Sequence, residues 1–246
     1  MIDQLRSKWS GKSFQTYMLP TKKAVQAARR SQTKVFPHFK IQNQQEKFNV
    51  YSHLLSGILA AIGLIILLIE ATPGEGYFLT IWVYGFSLMF VFFASSFWHM
   101  HKKSEDEFSR WTLVDEISIF VAIAGAFTPI AVFYLEGTLR EITIGFQWGS
   151  ALVGILMKLK YTMIKRWKTA IIYLTMGWGG AIPIQFAFGQ MDPLTIVLLF
   201  GCGIFSSIGA VLFATRKPKH FHEIFHVLVT FALLFHYISV ISFISH

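Results

Sequence analysis

Five side chains in the apolar part of this 246-residue sequence are of types that can do chemistry together. His222 and His226 stand four residues apart, and so do Ser95 and His99. On a helix, residues at that spacing project from one face a turn apart. Asp115 is a single carboxylate at the start of another apolar run. Three imidazoles and a water form a familiar ligand set for catalytic zinc, which keeps one coordination position open. Such a zinc ion lowers the pKa of its bound water to about 7. Asp115 is a candidate to orient or deprotonate that water or to steady a histidine, and Ser95 to hydrogen-bond the water or a developing oxyanion. The competing reading makes each residue a hydrated polar group at a helix end; the set as a whole favours the metal.

The elements that must position these residues are membrane helices. Hydrophobic residues make up 54% of the chain and charged residues 14%, against about 25% charged in soluble domains. Seven apolar segments, at about 50–69, 77–98, 113–134, 142–157, 169–188, 194–214 and 221–244, follow a polar stretch. A bilayer core of about 30 Å takes about 20 helical residues. The fourth segment is the shortest, with Gln147 in its middle, and is expected to extend into its flanks. The fold class is therefore an all-α membrane protein, a seven-transmembrane helix bundle over 48–246. Residues 1–47 form a basic tail, expected to be largely disordered.

Charge sets the orientation. The tail and the 2–3, 4–5 and 6–7 connections hold 21 of the 22 Lys and Arg residues, and Arg140 alone lies in the other set. By the positive-inside rule the N-terminus is in the cytoplasm and the C-terminus outside. This puts His99, Asp115, His222 and His226 at one depth, near the cytoplasmic face, although their helices are far apart in the chain. The formal charge of +9 is mostly in the tail, where it suits anionic lipid; no nucleic-acid motif accompanies it. Cys202, the single cysteine, allows no internal disulfide.

Several motifs coincide with these positions. Glu46-x-x-Asn49-x-x-Ser52-His53-x-x-x-Gly57 enters the first helix, and Ser95-Ser96-Phe97-Trp98-His99 ends the second. Asp115 precedes Ala124-Gly125-Ala126-Phe127-Thr128-Pro129, and His222-Glu223-Ile224-Phe225-His226 opens the last helix, with His236-Tyr237 beyond it. With these motifs the chain, over about residues 46–246, resembles the hemolysin III / progestin and adiponectin receptor family of seven-helix membrane proteins. The resemblance implies intramembrane zinc near the cytoplasmic face, held by His99, His222 and His226 with Asp115 and Ser95 beside it. The wider grouping, which includes alkaline ceramidases, implies metal-dependent hydrolysis of lipid amides; the hemolysin label implies membrane lysis instead. The expected partners are zinc and membrane lipid, without nucleic acid, and the expected location is the cell (plasma) membrane.

Rival readings remain. His222-Glu223-x-x-His226 also matches a metalloprotease motif, but a protease of that type needs a later ligand, and only His236 and His246 follow. A retinal protein needs a lysine in the last helix, which has none. A transporter would need more polar groups near mid-membrane than Gln147 in helices 4 to 6. A receptor in which zinc is structural uses the same ligands as a hydrolase, and the sequence leaves both open. His53 is read as supporting the site or lying at the interface, and His236 as a buried histidine with a backbone partner.

The charge segregation makes a direct prediction. A reporter fused ahead of Met1 should read cytoplasmic and one fused after His246 external; termini on the same side would refute the seven-span reading.

Overall fold

The computed structural model describes residues 41–71, 77–103, 109–161, 164–215 and 220–244. The basic tail ahead of residue 41 lies outside them. Among the described residues there are seven helices long and apolar enough to cross a membrane, and no strand. They are α1 (Lys47–Glu70), α2 (Tyr77–His101), α3 (Arg110–Tyr134), α4 (Gly137–Lys160), α5 (Arg166–Ile184), α6 (Pro193–Thr215) and α7 (Phe221–Ile244). A 3-10 turn, Gln44–Glu46, leads into α1, and another, Gln185–Gln190, continues α5. The chain is an integral multi-pass membrane protein, and each hydrophobic segment read from the sequence falls within one of these helices or its 3-10 continuation.

The limits of the helices follow local chemistry. Ser109 caps α3: its hydroxyl accepts from the Thr112 amide at 3.2 Å, while its own amide donates to the Thr112 hydroxyl at 3.1 Å. That reciprocal pair satisfies two amides that a helix start leaves open. The fourth segment does extend into both flanks, giving α4 24 residues. Pro183 lacks an amide hydrogen, and α5 gives way to 3-10 geometry after Ile184.

The helices form a ring in chain order, closed by α7 packing on both α6 and α1, with α3 also reaching α5. Leu55, Leu59, Ile62 and Ile66 on α1 and Val197 and Ile204 on α6 are exposed on its outside, as side chains facing lipid should be. Inside, several polar side chains tie helices together. Gln147 is fully buried and donates to the Met176 carbonyl at 3.0 Å, so the one strongly polar side chain midway along α4 links helices and does not line a polar path. Lys158 of α4 is buried against Glu116 of α3 at 2.7 Å, and the Tyr173 hydroxyl of α5 donates to the Glu116 carbonyl at 2.7 Å. These contacts set the rotation of α3 next to Asp115. Across the closing seam, the Tyr237 hydroxyl donates to the Gly63 carbonyl at 3.1 Å.

Where α2 and α3 meet, Gly125 sits directly against Ser87; a Cβ there would overlap the Ser87 side chain down to its own Cβ. The serine cannot yield without moving the helices apart. Gly149, by contrast, has nothing within 4 Å of where a Cβ would stand. Gly125→Val should therefore destabilise the fold by about 1–3 kcal/mol, seen as a lower midpoint of thermal unfolding in detergent. Gly149→Ala should leave that midpoint unchanged or raise it. Equal midpoints for Gly125→Val and wild type would show that α2 and α3 are not packed this closely.

Candidate metal centre

The last turn of α2 and the first two turns of α7 meet at the end of the bundle that carries most of the Lys and Arg residues. There His99, His222 and His226 point their Nε2 atoms at one another: His99–His226 2.9 Å, His226–His222 3.0 Å and His222–His99 3.2 Å. His99 and His226 are buried, and His222 is partly so. Hydrogen bonds alone cannot satisfy such a triangle. A neutral imidazole nitrogen either carries a hydrogen or offers a lone pair, and among three mutual neighbours at least two must be of the same kind. A cation at the centre removes the conflict by drawing on three lone pairs. Tetrahedral ligation with metal–nitrogen bonds of about 2.0–2.1 Å separates ligand nitrogens by about 3.3 Å, close to the spacing seen. The three residues fit a metal ion as ligands.

Each ring is held from behind. The carboxylate of Glu46, on the 3-10 turn before α1, accepts from His99 Nδ1 at 2.7 Å. The same carboxylate pairs with Lys102 Nζ at 2.8 Å and accepts from Asn49 Nδ2 at 2.9 Å. Glu46 is 3% exposed; a carboxylate so deeply buried survives only when paired. His226 Nδ1 bonds His53 Nε2 on α1. Trp98 packs edge-on against His222 at 5.8 Å between ring centroids. α1 is itself pinned to α2 by the Ser96 hydroxyl, which donates to the Val50 carbonyl at 3.0 Å.

Asp115 and Ser95 lie beside this centre and not in it. With His53, His222 and His226 they line one cavity of about 260 Å³. From that end the cavity runs inward between α3, α5, α6 and α7 to Ile130, Ile184 and Phe188. Asp115 and Ile130 are separated by about 22 Å of helix at 1.5 Å per residue. The wall is mostly apolar, and polar groups partway along it are already engaged. Ser207 accepts from Trp178 at 3.1 Å, and His236 bonds the Tyr84 hydroxyl at 3.1 Å.

Two readings can be sorted by position. Glu223 turns to exposed His220 at 3.1 Å, outside the triangle, and the third histidine comes from α2, not from a segment after His226. The arrangement is not that of the His-Glu-x-x-His proteases. His101 points elsewhere, toward the Phe97 carbonyl at 2.7 Å and the face of Trp111. Glu46 belongs to this centre although the sequence motif that begins with it carries no ligand. Its signal was its place three residues ahead of Asn49 in the motif that also holds His53.

A model of the family described as "Haemolysin-III related" matches residues 41–237. The chain is 29% identical over 192 residues to "Hemolysin-3 homolog" of Bacillus subtilis (strain 168), covering 76% of this chain and 88% of that protein. It is also 29% identical over 190 residues to "Hemolysin-3" of Bacillus cereus, covering 76% and 85%. The matched region includes all three histidines of the triangle and both residues that support them from α1 and the turn before it.

The hydrogen bond behind His99 predicts a graded response to substitution. Glu46→Gln should keep the fold and the three ligands but weaken metal binding by about 10–100-fold, measured by competition with a chelator on purified protein. His101→Ala should bind metal as wild type does. Unchanged affinity in Glu46→Gln would remove Glu46 from the centre.

Proposed function

This chain belongs to the haemolysin-III related family, and from that premise we propose that it is a zinc-dependent hydrolase acting on a lipid amide or ester at the cytoplasmic leaflet of the cell membrane. The observation that carries this reading is the joining of the histidine triangle to a long apolar cavity through Asp115 and Ser95. An all-nitrogen triad from three histidines suits zinc, and three protein ligands leave a fourth position for a reactant. The charge segregation supports placing this end of the bundle at the cytoplasmic face, where water is at hand, with the basic tail against anionic lipid.

The division of labour follows from the positions. The apolar cavity takes an acyl chain, leaving its carbonyl carbon near the polar end. Zinc, when bound to the three Nε2 atoms, supplies a Lewis acid that eases deprotonation of water near neutral pH. Asp115 accepts a proton from the attacking water and returns it to the leaving amine or alcohol. Ser95, on the same cavity wall, is placed to hydrogen-bond the water or the developing oxyanion. Glu46 and His53 hold the His99 and His226 rings in the orientation that aims both Nε2 atoms inward.

Two measurements test the proposal. Purified protein should contain about one zinc per chain, and His222→Ala/His226→Ala should abolish that content. Wild type in nanodiscs should release free fatty acid from ceramide or a related lipid, and Asp115→Asn should keep its zinc while losing at least about 10²-fold in turnover. Zinc fully bound with no release from a broad lipid panel would replace the hydrolase by a receptor-like protein with structural zinc.

A further inference from the structure

α5 separates two cavities. Tyr173, Leu174 and Gly177 line the one beside the metal centre, while Ile171, Ile172 and Thr175 line a second, of about 480 Å³, shared with α4. The two have no lining residue in common. On α4 the second is built on Gly145, Gly149, Val153 and Met157, whose spacing of four keeps them on one helix face. Nothing lies within 4 Å of where a Cβ would stand at Gly145 or Gly149, and Val153, Met157 and Ile171 are exposed. The cavity is therefore a furrow open to the lipid side of the bundle. From Gly145 to Met157 it follows about 18 Å of helix at 1.5 Å per residue, close to one leaflet of a core about 30 Å thick.

Such a furrow does not stay empty in a bilayer. Bare apolar walls forfeit dispersion contacts, and Ser150 and Thr175, the two polar side chains on the wall, offer water few partners. The occupant is indicated at the basic end. Lys160 lies three residues beyond Met157 on α4, and Lys168 three residues before Ile171 on α5. Both lysines are exposed, and each continues a furrow-lining face by one turn. Each ammonium stands by a half-exposed aromatic ring: Lys160 Nζ is 5.3 Å from the centre of Tyr161, and Lys168 Nζ 5.6 Å from that of Trp167. Tyr and Trp at the end of a spanning helix belong at headgroup level. The start of α5 adds to the positive field. Its N-cap, Lys165, makes no side-chain capping bond, and its first turn holds no acid, although the amino end of a helix favours negative charge. A second copy of this chain suits the furrow poorly, because two-fold packing through it sets one basic end beside another.

We propose that the furrow between α4 and α5 is a binding site for an anionic phospholipid. One acyl chain lies along Gly145, Gly149 and Val153, and the phosphate pairs with Lys160 and Lys168. Charge segregation supports placing this end at the leaflet richer in anionic lipid. The site is independent of the hydrolase reading, since it uses the opposite side of α5.

The test counts lipids on delipidated, full-length protein in mild detergent by native mass spectrometry. The probes are a phosphatidylglycerol and a phosphatidylcholine with the same acyl chains. Wild type should hold one phosphatidylglycerol per chain, about tenfold more tightly than phosphatidylcholine. Lys160→Gln/Lys168→Gln should lose that preference and bind phosphatidylcholine as wild type does. Lys47→Gln/Lys103→Gln removes the same charge from the same end outside the furrow, and should keep the preference. Gly149→Leu fills open space in the furrow and should weaken both lipids without lowering the midpoint of thermal unfolding. Should Gly149→Leu fail to fold, the two lysine pairs decide the outcome, since all four residues are exposed. Equal affinity of wild type for the two lipids overturns the site. Equal loss of preference in the two lysine pairs also does so, because the attraction is then diffuse. Displacement of phosphatidylglycerol by inorganic phosphate would leave an anion site with no use for the furrow, and overturns it as well. A wild-type dimer that Gly149→Leu converts to monomer would give the furrow to a second copy and refute the lipid.

Discussion

Three imidazole nitrogens that meet at 2.9–3.2 Å cannot all be hydrogen-bonded to one another, and the surrounding structure is organised around holding them there regardless. Left alone, rings with such a conflict would rotate toward water or apart. His99 cannot, because Glu46 grips its Nδ1, and Glu46 is itself held by Lys102 and Asn49. His226 cannot, because its Nδ1 is engaged by His53. The strain is acceptable if a cation completes the centre, since each nitrogen then has a partner and each supporting bond strengthens the ligand it touches.

That constraint reaches into the fold. Glu46 lies before α1, His53 on α1, His99 on α2 and the remaining pair on α7, so the centre exists only if the first and last helices close the ring. The closing seam is correspondingly specific, with Tyr237 bonding the Gly63 carbonyl and Ser56 within 3.4 Å of Thr230. On the other side of the cavity, α3 is held to α4 and α5 through Glu116, one residue from Asp115. Asp115 and the carboxylate that anchors the helix are thus neighbours in sequence.

The cavity separates two kinds of environment. Along its length the polar groups are already satisfied by the protein, as with His236, Trp178 and Ser207, so they present little to a guest but surface. At the basic end, Asp115 and Ser95 line the cavity beside the histidines. A guest with a long apolar body and one polar end matches this division, because desolvating a polar group is repaid only where it finds a partner.

The sequence alone determined the number of helices, the end of the bundle where His99, His222 and His226 lie, and the histidines that share a face. These depend on properties carried locally along the chain: the length of apolar runs, the spacing of four between His222 and His226, the side of the membrane that Lys and Arg select. What only the tertiary structure decided was partnership. Nothing in the spacing says that Glu46, which reads as one more charge in a polar tail, folds back onto His99, or that His53 turns to His226 and not to solvent. Nor does it say that Gln147 finds the Met176 carbonyl, or that Asp115 stands beside the triangle without entering it. Those outcomes depend on how each helix is rotated about its axis and how closely it approaches its neighbours. Both are set by packing among residues as far apart as Gly125 and Ser87, or Gly63 and Tyr237, and no window of local sequence contains that information.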